Sequence, residues 1–262
     1  MKNLQFNGII KLLSPLSHNS DENYGTDTVF RKSKIKVGDS FEDIPVLSGN
    51  GIRGVLRRLI ADDYLKLLGL TDVNEKLFYI LFAGGALEGM DSNLEVKQIK
   101  DIRKNISLIS LLGTAFSTKM IKGKLKVGMG MLICEETKPY TEIESDKSFV
   151  EFIDEIFYTR RDDKEDKTGD KAHQMKYSGE VLIPGTELSH FFMLQNVDAL
   201  EESCFYRTIK LFNNNPFLGG KSQVGHGKVR LEYDWNLDDD LYLKYIEEHK
   251  KQIIKFLSEC VK

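Results

Sequence analysis

Apolar positions recur along the chain with two periods. Residues 4–13 open with a polar/apolar alternation and are rich in β-forming residues, which predicts a first strand. The polar stretch 14–28, Ser-Pro-Leu-Ser-His-Asn-Ser-Asp-Glu-Asn-Tyr-Gly-Thr-Asp-Thr, reads as a long loop. In residues 49–69 the period changes: Ile52, Leu56 and Leu59 recur at i, i+4, i+7, Ser48 or Asn50 can cap the start, and Gly69 ends the run. This is the clearest helix in the chain.

Residues 75–113 read as helical in two pieces around Ala83-Gly84-Gly85-Ala86, 124–134 as a strand, and 148–157 as a short helix or strand. The charged stretch 158–171 has no apolar periodicity after Tyr158 and predicts a loop or hairpin tip. Residues 175–197 are strand-like on either side of Ile183-Pro184-Gly185-Thr186, a hairpin or a strand bend. A helix at 198–212, a glycine-rich loop at 217–228, a strand from Val229 and an amphipathic helix over 238–261 complete the chain. No repeat recurs at a fixed period. The order predicts an α+β fold with helices on one face of an antiparallel sheet.

Composition narrows the class. The chain has 262 residues, 41% hydrophobic, with 21 Gly and 5 Pro, enough for a real core and unlike any collagenous or proline-rich chain. No run approaches the roughly 18–20 apolar residues of a membrane span, and the start lacks a small-residue cleavage site, so a cytoplasmic protein with no membrane partner is expected. Cys134, Cys204 and Cys260 form no CxxC, which argues against a disulfide framework or a cysteine zinc site. His173, His190, His226 and His249 show no ligand spacing.

A formal charge of −3 conceals a segregation. Residues 1–130 carry 19 Lys+Arg and 14 Asp+Glu, a net of +5, which leaves 18 basic and 26 acidic of the chain's 37 and 40, a net of −8, for 131–262. Between Ile102 and Cys134 there is no acidic residue, while Arg103, Lys104, Lys119, Lys122, Lys124 and Lys126 are all basic. Arg31, Lys32, Lys34 and Lys36 form a second basic run, and Arg53, Arg57 and Arg58 a third. Such clustering makes a local positive field within a neutral total, so the charge does not exclude a nucleic-acid partner.

Two motifs carry chemistry. In the first, Pro45 to Arg58, a strand-like entry meets a glycine-containing turn, Ser48-Gly49-Asn50-Gly51, and a helix start bearing Arg53, Arg57 and Arg58. Free amides, the positive helix end and small residues suit an approaching phosphate, and Arg53 and Arg57 share one face beside the apolar stripe. The second, Phe217 to Val229, contains Gly219, Gly220, Lys221, Ser222, Gln223, Gly225, His226, Gly227 and Lys228, a loop of many donors able to track a phosphodiester chain. It has neither the Walker A nor the Rossmann spacing.

Together these motifs resemble the RAMP superfamily (repeat-associated mysterious proteins) of CRISPR effector complexes, in particular the backbone subunits of the seventh CRISPR-associated family in type III or type IV-like complexes. The Ser48 to Gly54 turn and the Gly219 to Gly227 loop carry the likeness, supported by the first strand and Leu13 to His18; it extends over most of 4–233. Leu47-Ser48-Gly49-Asn50 departs from the Ile-Pro-Gly-Ser-Ser of many relatives.

The resemblance implies one domain over 1–262: a palm resembling an RNA-recognition motif (ferredoxin-like), about 1–72, 121–134 and 174–233, a helical insertion over 73–120, a β-hairpin thumb over 156–178 and the C-terminal helix. It further implies a guide-RNA-binding subunit that assembles in several copies for antiviral defence and displays the guide to a complementary RNA or DNA target. Partners would be the guide RNA, the target, copies of itself and other effector subunits. On the thumb, Arg160 and Arg161 would meet phosphates, and Met175 or Tyr177 would wedge between bases. Arg31, Lys32, Lys122 and Lys124 would extend the basic groove, and the acidic stretches 135–155 and 234–240 would form an opposite face able to meet a neighbour. Since some relatives cut target RNA with a loop aspartate and a divalent metal, Asp27 is the candidate catalytic residue, with Mg²⁺ as the cofactor it would need. Relatives that process guides suggest His18 as an alternative acid or base.

Overall fold

The computed structural model describes residues 1–24, 27–86, 96–116, 119–161 and 174–260. The first strand, β1 (Lys2–Leu12), alternates as its sequence predicts, with Ile10 and Leu12 buried. The stretch read as a loop instead contains β2 (Asn19–Tyr24) and β3 (Asp27–Phe30), followed by a hairpin of β4 (Lys32–Val37) and β5 (Ser40–Leu47). The Lys32–Lys36 basic run is thus part of a strand. Ile35 is its buried residue, while Lys34 and Lys36 are exposed, a period of two that the lysines disguise.

Helix α1 (Gly49–Leu68) matches its prediction closely. The Ser48 hydroxyl accepts from the Gly51 amide at 3.1 Å, and Gly69 closes the helix at φ 67°. The insertion holds α2 (Glu75–Phe78), a π-turn at Tyr79–Ala83, β6 (Gly85–Ala86), α3 (Val96–Asn105) and α4 (Ser107–Leu112), then β7 (Thr114–Phe116) and β8 (Lys119–Ile121). The predicted strand over 124–134 is broken into β9 (Leu125–Val127) and β10 (Gly130–Leu132). The short helix α5 (Lys138–Thr141) and a 3₁₀ turn at Phe149–Phe152 precede β11 (Ile153–Arg161), so 148–157 is helix first and strand afterwards. Then come β12 (Gln174–Leu182), β13 (Glu187–Val197), α6 (Ala199–Asn214), β14 (Val229–Tyr233) and α7 (Asp240–Cys260).

The main sheet runs β14-β1-β13-β10-β5-β4, with β9 also on β13. Taken in chain order, β1, α1, β10, β13, α6 and β14 form a βαββαβ unit whose strands lie in the spatial order 4-1-3-2, the ferredoxin-like palm. Helices α1 and α6 pack against one another and against α7, burying Leu56, Ile60 and Tyr64 with Phe205, Ile209 and Phe212. The buried carboxylates of Asp63 on α1 and Asp239 ahead of α7 share one partner: Arg207 of α6 donates to Asp63 at 2.6 and 2.9 Å and to Asp239 at 3.3 Å.

A second sheet, β11-β12-β3-β2, stands beside the palm. Its β11 and β12 pair from Ile153↔Leu182 to Arg161↔Gln174, an antiparallel hairpin where the thumb is expected. Beyond Leu182 the chain turns at Gly185 and passes into the main sheet as β13; the Ile183–Thr186 turn is a strand bend between sheets. Among the described residues no helix is long and apolar enough to cross a membrane.

Candidate nucleic-acid interface

The two motifs meet on the segment that follows β1. The Gly220 amide donates to the Ser17 carbonyl at 2.7 Å, the Gly227 amide to the Pro15 carbonyl at 2.8 Å, and Ser17 Oγ lies 2.8 Å from His226 Nδ1. The next residue reaches the other motif: the Ser48 amide donates to His18 Nε2 at 3.1 Å, with Ser48 Oγ equally close. His18 thus ties the helix cap to the segment that follows β1. Two glycines are required by the packing. A Cβ at Gly219 (φ 77°) would lie 2.3 Å from the Ser17 carbonyl oxygen, and one at Gly227 (φ 79°) 1.8 Å from that of Leu218.

The loop also leans on the thumb. Lys221 Nζ sits 3.5 Å from the Tyr158 ring centroid and 5.7 Å from that of Tyr177, and the two rings, directly opposite across β11 and β12, stack at 5.2 Å. Tyr177, expected to be a wedge, is half-buried in this stack, with the Tyr158 ring covering one face. Phe157 on the same hairpin is 73% exposed. Arg160, Arg161 and Met175 lie in register on the hairpin, but their side chains are outside the described residues. His226 is held below the ordinary histidine range by burial and by Lys221. Ser222, Gln223 and Lys228 are exposed.

Asp27 begins β3 and does not lie in a loop; it is exposed and accepts from Ser178 Oγ of β12 at 2.8 Å. A carboxylate and a hydroxyl could hold a hard cation whose other ligands came from phosphate and water. No cluster of three or more His, Cys, Asp or Glu suited to a metal occurs among the described residues.

The basic residues divide sharply. Arg57 is 7% exposed and donates to the carbonyls of Leu81 (3.4 Å), Leu112 (2.6 Å) and Gly113 (2.8 Å), tying α1 to the insertion. It is a structural residue and not the solvent-facing phosphate ligand its spacing suggested. Burial and the adjacent Arg53 push its pKa down to about 10. Arg53 is half-buried and also donates to Leu112 O. Lys124 is committed to Glu201 of α6 at 2.6 Å, and Lys32 to Glu180 of β12 at 3.2 Å, so carboxylates already neutralise these two expected groove residues. Arg31 is half-buried between strands, its amide donating to the His18 carbonyl. Asn50, Arg58 and Lys122 remain exposed around the entrance to α1.

This βαββαβ palm, with a glycine loop and hairpin beside it, has a counterpart among known families: the profile of the RAMP superfamily matches residues 10–230. The chain belongs to the RAMP superfamily. A solved structure described as "Type IV-B CRISPR Complex" contains a chain similar to this RAMP protein at TM-score 0.66 and 20% identity, covering 88% of this chain and 90% of that one. No curated protein matches it. The superfamily match spans both motifs and the hairpin.

Proposed function

We propose that this RAMP protein is a guide-RNA-binding backbone subunit of a CRISPR effector complex, working in the cytoplasm and assembling in several copies along one RNA. The convergence of the Ser48 helix start and the Gly219–Gly227 loop on residues 14–18 carries this reading. Around that junction exposed Asn50 and Arg58 on the first motif and exposed Lys228 on the second supply polar and positive groups, the means by which proteins follow a phosphodiester chain without reading its sequence. The fold shared with a chain of a type IV-B CRISPR complex supports the assembly. Light scattering on the protein mixed with RNAs of increasing length tests it. Complex mass should rise stepwise with RNA length, and a constant one-to-one complex would refute the multi-copy scaffold.

A second reading, metal-dependent cleavage of guide-paired RNA, is favoured by one observation: the exposed Asp27 carboxylate stands on the hairpin sheet, bonded to Ser178, the β12 neighbour of Gly179, which adjoins Lys221. Cleavage of complementary RNA at regular intervals in Mg²⁺, abolished by Asp27→Ala, is the expected result. Cleavage that survives the substitution excludes this role.

A further inference from the structure

The face of the main sheet turned away from α1 and α6 is covered over only part of its width. Ile9, Ser189, Met131 and Val46 stand directly opposite one another across β1, β13, β10 and β5 and share that face, while Ile10, Leu188 and Leu132, one position along, point into the core on the helix side. Toward β5 and β4 the face is closed: Val46, Ile44 and Ile35 are buried, and the Tyr140 hydroxyl of α5 donates to the Lys36 carbonyl at 2.7 Å. Between α5 and the central strands a cavity of about 490 Å³ stays open. Ile9, Met129, Met131 and Phe191 give it an apolar lining, Met129 and Phe191 being exposed. Glu142 at the end of α5 adds an exposed carboxylate that belongs to no ion pair among the described residues. No residue of this cavity belongs to the candidate RNA interface.

An apolar side chain beside a positive charge matches such a lining, and the chain itself presents one. Phe41, near the tip of the β4–β5 hairpin, is 63% exposed and stands opposite Lys36, with Lys34 two positions further along the same face. Neither lysine forms an ion pair among the described residues, although Asp43 lies opposite Lys34. Carrying the register back from Val46 puts Phe41, Lys34 and Lys36 on the side of the sheet away from the cavity. Two copies therefore cannot exchange this contact reciprocally. Each can offer its hairpin only to the next, and a contact of that kind repeats without closing.

We propose that the β4–β5 hairpin of one copy seats Phe41 in this cavity of the next copy, with Lys36 facing that copy's Glu142, so that subunits join without RNA. The proposal rests on the multi-copy reading for the kind of partner and assigns the two surfaces that meet.

Sedimentation velocity without RNA, over a range of protein concentrations, measures the contact. The wild type should grow past a dimer as concentration rises, and Phe41→Ser and Met129→Glu should each weaken association by about tenfold. Lys36→Glu should weaken it as well, and Lys36→Glu/Glu142→Lys should regain most of the loss. Because Phe41 is exposed, Phe41→Ser should melt at the wild-type temperature. A wild type that stays monomeric or stops at a dimer, a Phe41→Ser protein that associates like the wild type, or a charge exchange that regains nothing would overturn the proposal. Fluorescence anisotropy with a short oligoribonucleotide separates the two claims. Binding of that RNA by a protein that does not self-associate would retain the guide-RNA reading and remove this contact; growth of chains by a protein that binds no RNA would retain the contact and remove that reading.

Discussion

At the start of α1, Arg53 and Arg57 turn inward and leave Arg58 outside, whereas on the glycine loop Ser222, Gln223 and Lys228 all stay outside. Both stretches combine glycine with positive charge, yet Arg57 is drawn under the insertion by three backbone carbonyls, while Ser222, Gln223 and Lys228 face solvent on a loop pinned by its own backbone. The reason is local geometry. A helical residue adjacent to Leu56 on the apolar stripe is carried toward the core, and a long guanidinium there finds the unsatisfied carbonyls of a neighbouring helix end. A loop without an apolar period has no such pull. Positive charge in the first motif therefore ties α1 to the insertion through Arg57, and in the second it lies on the surface.

Substitutions can break that contrast. The largest effect is expected at Gly227→Ala: a left-handed position whose Cβ would overlap the Leu218 carbonyl should cost about 3 kcal/mol or more in chemical denaturation. Gly225→Ala, at φ 87° but with open space around it, should cost only about 1 kcal/mol; equal losses would mean that packing does not hold the loop. In the first motif Arg57→Ala should destabilise by about 2–3 kcal/mol, since it strips partners from buried carbonyls, while Arg58→Ala stays within about 0.5 kcal/mol. Similar stabilities for these two variants would contradict the inward and outward division. Ser48→Ala should cost about 1 kcal/mol through the lost cap.

The smallest effect concerns pH. His226 is neutral in the fold and titrates below the ordinary value of 6.5, so the unfolded chain takes up its proton first as pH falls. Its contribution to stability is complete above about pH 6.5 and declines below it. The NMR midpoint of the His226 ring should lie below 6.5. A midpoint at or above 6.5 would show the loop loosely seated.

Much of the palm was legible because its signals are local. The α1 stripe, the Ser48 cap, Gly69 and the alternation in β1 each lie within a few residues. Strands β2 to β4 were hidden because most of their positions are polar, and the Lys32–Lys36 run reads as charge before it reads as alternation. The fate of single cations was not legible at all. Lys124 meets Glu201 across 77 residues and Lys32 meets Glu180 across 148, pairings that only the folded sheet creates. Ser17 and Tyr158 escaped notice for the same reason, being ordinary in sequence and significant only through what the topology brings beside them.

The central claim, that this surface holds RNA by its phosphates, is tested most directly by the salt dependence of single-stranded RNA affinity for the wild type and Arg58→Ala/Lys122→Ala. The logarithm of the binding constant should fall linearly with the logarithm of salt concentration, and the double variant should show a slope shallower by about 1–2 with its melting temperature unchanged. Identical slopes and affinities in the two proteins would contradict the account.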